Sequence, residues 1–165
     1  MNILMKTILR WAKSIRFRLK LFSLKLMYGN QIEFSRFNFR NNLRIVISKK
    51  GRLKIGNGVF FNNGCSINVL NKIHIGNNCA FGENVKLYDH NHKYKDISVS
   101  IKKQGFTTDE IIIEDDCWIG SNVVILKGVH IGKHSIIGAG CVIYEDIPEN
   151  SVTVCKQNLI TTRLK

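Results

Sequence analysis

Residues 111–145 read IIIEDDCWIGSNVVILKGVHIGKHSIIGAGCVIYE. Ile113, Ile119, Ile125, Ile131, Ile137 and Ile143 stand six apart without error. Neither an amphipathic helix, with its period of 3.6, nor an ordinary hairpin strand, with its period of 2, explains a spacing of six. A short repeat of this kind predicts a solenoid, each turn stacking on the next over a shared core. Working upstream, Ile75, Phe81 and Leu87 keep the same step, and so do Ile55, Phe61, Ile67 and Ile73, with a slip of two between the runs. Gly follows the key apolar residue at Gly56, Gly76, Gly82, Gly120, Gly132 and Gly138, and a small or β-branched residue holds the fifth place. Cys65, Cys79, Cys117 and Cys141 all occupy that fifth place, none in a CxxC pair, and read as small core residues of a reducing compartment.

Four segments follow from this reading: a basic amphipathic helical segment at 1–28, degenerate first coils at 29–54, the repeat domain at 55–150 with an inserted loop at 88–110, and a tail at 151–165. The chain of 165 residues suits one domain with an appendage. Its net charge of +13 lies entirely in the first third. Residues 1–54 hold fourteen Lys or Arg against Glu33 alone, and the remainder holds eleven of each sign. That excludes a uniformly basic surface, and no nucleic-acid motif accompanies the charge. On a helix, Leu4, Ile8, Trp11, Ala12, Ile15, Leu19, Phe22 and Leu26 fall within an arc of roughly 100°, with Lys6, Arg10, Lys13, Arg16 and Lys20 outside it. Such a segment lies on an anionic membrane surface, or packs on the domain or a neighbouring subunit. No cleavage site follows an apolar core, so the expected location is cytoplasmic, with peripheral attachment at the inner face of the membrane as an option.

Between Leu87 and Ile111 the hexads stop. A polar loop of this length inside a regular coil is usually functional, and it opens Tyr88-Asp-His-Asn-His92. Histidine takes a proton near neutral pH without a large shift, which makes His90 and His92 candidate bases and Asp89 a candidate partner for either. A solvated His-x-His pair, or one holding a metal weakly, is the alternative.

The repeat, the loop and Cys117-Trp-Ile-Gly-Ser-Asn122 together resemble the hexapeptide-repeat acyltransferases, especially polysaccharide O-acetyltransferases and the galactoside, maltose and xenobiotic branch. The resemblance covers about residues 45–150. It implies an all-β, left-handed parallel β-helix with triangular turns of eighteen residues, and Gly or Asn at corners of unusual φ. It implies His92, five past the last aliphatic Leu87, as general base, with His90 as runner-up or acceptor contact, and Asn62 and Asp89 facing the acceptor. It implies that Trp118, Gly120, Ser121, Gly138 and Ala139 line the acetyl-CoA groove, and that the enzyme is a homotrimer with sites between subunits. Val154-Cys-Lys-Gln-Asn-Leu159 departs from the family's closing Gly-x-Pro turn, which leaves Lys156 or Arg163 to meet the coenzyme phosphates. The implied reaction is direct acetyl transfer to a sugar hydroxyl of a capsule, O-antigen, exopolysaccharide or lipid-linked precursor. No metal is expected, although the γ-class carbonic anhydrases hold zinc on the same solenoid. Transfer to an amino sugar, transfer to a small xenobiotic, and a non-catalytic membrane-surface scaffold are the other readings.

Overall fold

A computed structural model describes residues 3–156. After a helix at Ile3–Tyr28, the chain winds as a left-handed parallel β-helix of about five turns. Its three walls are parallel sheets. Wall A stacks Ile32–Phe34, Arg52–Ile55, Lys72–Ile75, Ile111–Ile113 and His130–Ile131. Wall B stacks Asn38–Phe39, Phe60–Phe61, Ala80–Phe81, Trp118–Ile119, Ile136–Ile137 and Val152–Thr153. Wall C stacks Arg44–Ile47, Ser66–Val69, Lys86–Tyr88, Val124–Leu126 and Val142–Ile143.

The repeat produces this directly. Successive strand residues point to opposite faces, so the residue at each sixth place lies inside: Ile119, Ile125 and Ile131 have no exposed surface. The late coils take eighteen residues, since Ile113, Ile119 and Ile125 pair with Ile131, Ile137 and Ile143. The early coils are longer. Ile55 pairs with Ile75, twenty residues on, and Ile45 with Ile67, twenty-two residues on. The slip of two between Ile73 and Ile75 is therefore no break in the repeat. It is a four-residue strand on wall A that sends two residues inward. Phenylalanines fill the early core, Phe61 stacking on Phe81 at 4.6 Å and meeting Phe37 edge-on at 6.1 Å.

The corners are of two kinds. Asn42, Asn78, Asn84, Asn122 and Asn150 turn at φ of 57–60°, as do Asp116 at 58° and His134 at 55°, the left-handed region that Asn and Asp tolerate best. The glycines that follow the key aliphatics serve close stacking instead. A Cβ on Gly120 would lie 2.6 Å from the Ala139 nitrogen of the next coil. Cys65, Cys79, Cys117 and Cys141 are buried free thiols. Burial, with the Cys117 contact the largest cause at Cys79, pushes the thiols of Cys65 and Cys79 upward.

The helix docks by the face opposite to its leading apolar stripe. Leu24 is buried, Phe17 meets Phe39 at 5.0 Å, and the Tyr28 hydroxyl donates to the Ile45 carbonyl at 3.2 Å. Trp11, Ile15, Leu19, Phe22 and Leu26 are exposed. No described helix is long and apolar enough to cross a membrane.

Candidate functional site

The inserted segment is a β-hairpin. His90–His92 pairs antiparallel with Phe106–Thr108, His90 opposite Thr108 and His92 opposite Phe106. It leaves the prism at the corner between walls C and A. Asp89 fixes its root. The carboxylate is wholly buried and accepts the backbone N–H of Leu70 at 2.8 Å and of Asn71 at 2.7 Å, both in the coil beneath. Its main-chain carbonyl accepts the N–H of Asp109 at 3.0 Å, closing the hairpin. Two backbone N–H groups and one imidazole thus satisfy a carboxylate that would be costly to bury alone.

The imidazole is that of His90. Its Nδ1 lies 3.0 Å from Asp89 Oδ1, with the ring mostly buried. That acceptor assigns the proton to Nδ1 and leaves Nε2 as the proton-accepting nitrogen. His92 is exposed. Its imidazole makes no hydrogen bond among the described residues and rests on the Phe106 ring at 4.4 Å. Phe106 also meets His90 edge-on at 5.4 Å. Sequence spacing gave no reason to single out Phe106, because only the cross-strand register of the hairpin brings it beside both histidines. The hairpin tip is built rather than loose. Asp96 accepts the N–H and hydroxyl of Ser98, which holds its carboxyl below the usual range, and Gln104 donates to the carbonyls of Asp96 and Val99.

The other candidate residues lie at a different corner, between walls B and C. Gly120 and Ser121 stand one coil below Gly138 and Ala139, and the Gly140 N–H donates to the Ser121 carbonyl at 2.9 Å. The N–H groups of Gly120 and Gly138 are already bonded to the carbonyls of Ile137 and Thr153, so these two stack coils and offer no free donor. Ala139 is exposed, and the Ser121 hydroxyl accepts the Glu83 N–H at 3.1 Å. Trp118 stands outward on wall B, 57% exposed, between Ala80 and Ile136 in register. Asn62 belongs to the same corner. Its φ is not positive, and its Oδ1 accepts the Asn63 N–H at 2.9 Å. Lys156 is exposed at the end of the described chain, while Arg163 lies outside the described residues.

Within one chain, then, His90, His92 and Asp89 share one corner, and Asn62, Trp118, Gly120, Ser121, Gly138 and Ala139 gather at or beside another. Wall C separates them. Its outward row includes exposed Val46, Val142 and Tyr144 and half-buried Tyr88, Val124 and Leu126. Wall A is the charged one. It carries the pairs Lys54–Glu33 and Lys72–Glu110, and the His130–Glu114 contact that lowers the Glu114 carboxyl. His130 and His134 are exposed coil residues. Among the described residues no three His, Cys, Asp or Glu side chains gather as a metal site.

Comparison with known proteins agrees with the coil. Residues 110–145 match the family described as bacterial transferase hexapeptide (six repeats). Over 98 residues the chain is 36% identical to a galactoside O-acetyltransferase of Lactococcus lactis, covering 59% of this chain and 46% of that protein. The chain spans about half the length of the curated relatives it matches. Among solved structures, it resembles a hexapeptide-repeat-containing acetyltransferase of Vibrio cholerae complexed with acetyl coenzyme A. The TM-score is 0.68 and the identity 25%, over 84% of this chain and 73% of that one. A maltose O-acetyltransferase of Clostridium difficile gives a TM-score of 0.63 at 25% identity, over 86% and 82%. The chain therefore carries the hexapeptide repeat of the bacterial transferases, matched directly over residues 110–145, on a left-handed parallel β-helix.

Proposed function

We propose that the protein is an acetyl-CoA-dependent O-acetyltransferase whose acceptor is a sugar hydroxyl of a surface polysaccharide or of its lipid-linked precursor. The observation that carries this reading is the His90–His92 hairpin, set in a coil whose relatives bear the names galactoside and maltose O-acetyltransferase. His92 is the base. Its ring is open to an incoming hydroxyl and free of hydrogen bonds among the described residues, whereas Asp89 pins His90. His92 takes the hydroxyl proton as the oxygen attacks the thioester carbonyl. The tetrahedral intermediate collapses with cleavage of the C–S bond. The leaving sulfur takes the proton back, giving the sugar ester and free coenzyme A. His90, held by Asp89, orients the acceptor beside it. No acyl-enzyme is needed.

The active form is a homotrimer. Three copies with wall C turned to a common axis bring the hairpin corner of each chain against the Gly120–Ala139 corner of the next. That arrangement buries the apolar row of wall C and completes three sites. Trp118 and Lys156 then flank the coenzyme arm and its phosphates. The enzyme works in the cytoplasm, peripherally attached at the inner face of the membrane.

Thiol release from acetyl-CoA in the presence of hexosides, amino sugars and purified polysaccharide tests the reading. His92→Ala should lower kcat at least about 100-fold while the oligomer mass stays unchanged. Turnover kept by His92→Ala and lost in His90→Ala moves the base to His90. Transfer confined to amino sugars replaces O-transfer by N-transfer. Loss of acetyl from the surface polysaccharide on gene deletion, read by mass spectrometry, identifies the acceptor.

A further inference from the structure

The helix Ile3–Tyr28 carries two apolar stripes, and the coil uses only one. Phe17, Leu21, Leu24 and Tyr28 make the docked stripe, with Leu24 buried and Leu21 and Tyr28 packed on the core. Trp11, Ile15, Leu19, Phe22 and Leu26 make the other. They lie within about 80° of helical arc at 100° per residue and are 54–77% exposed. The docked end of the helix fixes the direction in which this second stripe faces, away from the prism.

The charge around the stripe is one-sided. The helix holds Lys6, Arg10, Lys13, Arg16, Arg18, Lys20 and Lys25, and no acid precedes Glu33. Lys25 is engaged locally, donating to the Ile32 carbonyl at 2.8 Å and lying over the Phe34 ring at 5.3 Å. At 100° per residue, exposed Arg18 stands beside the exposed stripe next to Trp11, while half-buried Lys20 lies nearer the docked stripe. A second copy of the helix laid on this face would set cations against cations with no carboxylate between them. An anionic lipid surface supplies both missing partners, an acyl boundary for Trp11, Leu19 and Phe22 and headgroup phosphates for the cations.

We infer that the Trp11–Leu26 stripe is a membrane-docking surface for anionic lipid, lying in the headgroup layer with the helix parallel to the bilayer. The inference rests on the peripheral location proposed for the protein and not on acetyl transfer. A helix held in this way, with its other face locked to the coil, sets the prism at a fixed attitude to the bilayer.

The test uses the full chain and vesicles of phosphatidylcholine alone or with 30% phosphatidylglycerol, read by flotation. Binding should appear on the anionic vesicles, be weak on the neutral ones, and fall steeply in 0.5 M NaCl. In a Trp118→Phe background, the fluorescence of Trp11 should shift to the blue and be quenched by brominated acyl chains. The triple change Trp11→Ser, Leu19→Ser, Phe22→Ser avoids the docked stripe. It should lower binding at least about tenfold with melting temperature and oligomer mass unchanged. Failure of the full chain to bind anionic vesicles overturns the inference, as does undiminished binding of the triple variant. A change in oligomer mass in that variant also overturns it and makes the stripe a subunit contact. Thiol release with a soluble hexoside, measured on the unmodified chain and on the triple variant with Trp118 intact, reports acetyl transfer separately.

Discussion

From Ile113 to Ile143 every sixth residue is buried, whereas on the N-terminal helix Trp11, Ile15, Leu19, Phe22 and Leu26 recur just as regularly and all face outward. The two regions differ in how many ways their pattern can be satisfied. A parallel coil has one interior, shared by three walls, and a strand that reverses its faces exposes its whole apolar set at once. The helix has two apolar stripes and one neighbour. Amphipathy says that a stripe will be covered but not by what, and the choice falls to Phe39, Ile45 and the core around Leu24, which meet Phe17 and Tyr28. Charge follows the same division, since the +13 is confined to the helix and first coils.

The comparison breaks most sharply in the coil. Ile119→Ala, at a residue with no exposed surface, should cost about 2–5 kcal/mol in denaturant unfolding. On the helix, Leu24→Ala should cost about 2–4 kcal/mol, while Leu19→Ala stays within about 0.5 kcal/mol. A reversal of that pair would mean that the helix docks by its other face. Gly120→Ala should cost about 1–3 kcal/mol, because the Ala139 nitrogen stands 2.6 Å from the added carbon and belongs to backbone. The smallest effect is one of pH, on the charged wall A. Burial first, then Lys54 and Lys72, hold His74 below its ordinary value, so folding favours the neutral ring. Its contribution is complete above about pH 6.5 and is lost as pH falls through the lowered folded-state value. A stability profile of His74→Gln should lack that part of the acid decline.

Much of the fold was legible because each coil repeats the same decision. The inward aliphatics, the thiols at the fifth place and the position of the insertion could all be read from spacing. The length of the early coils could not, since two inward residues on one strand, such as Ile73 and Ile75, look like a phase error in a list of sixes. The candidate site was legible by residue type but not by geometry. Asp89 could have served either histidine. The turn that sends its carboxylate to the N–H groups of Leu70 and Asn71 leaves only His90 in reach. Phe106 is sixteen residues from His90 and carries no signal until the hairpin closes. Gly120 suggested room for a ligand, and the room is taken by the next coil. Nor does a linear sequence say that His92 and Ala139 stand at different corners of a prism.

That separation is the centre of the account, and subunit mixing tests it most directly. His92→Ala removes the hairpin function from one chain, and Ala139→Arg obstructs the opposite corner in another. Each variant alone should be inactive in acetyl-CoA thiol release with a sugar acceptor. Refolded together, they should recover about one quarter of wild-type turnover, because random assembly pairs an intact hairpin with an intact corner at that fraction of interfaces. A mixture as inactive as its parents, with trimers of normal mass, would place both halves of the site in one chain and contradict the account.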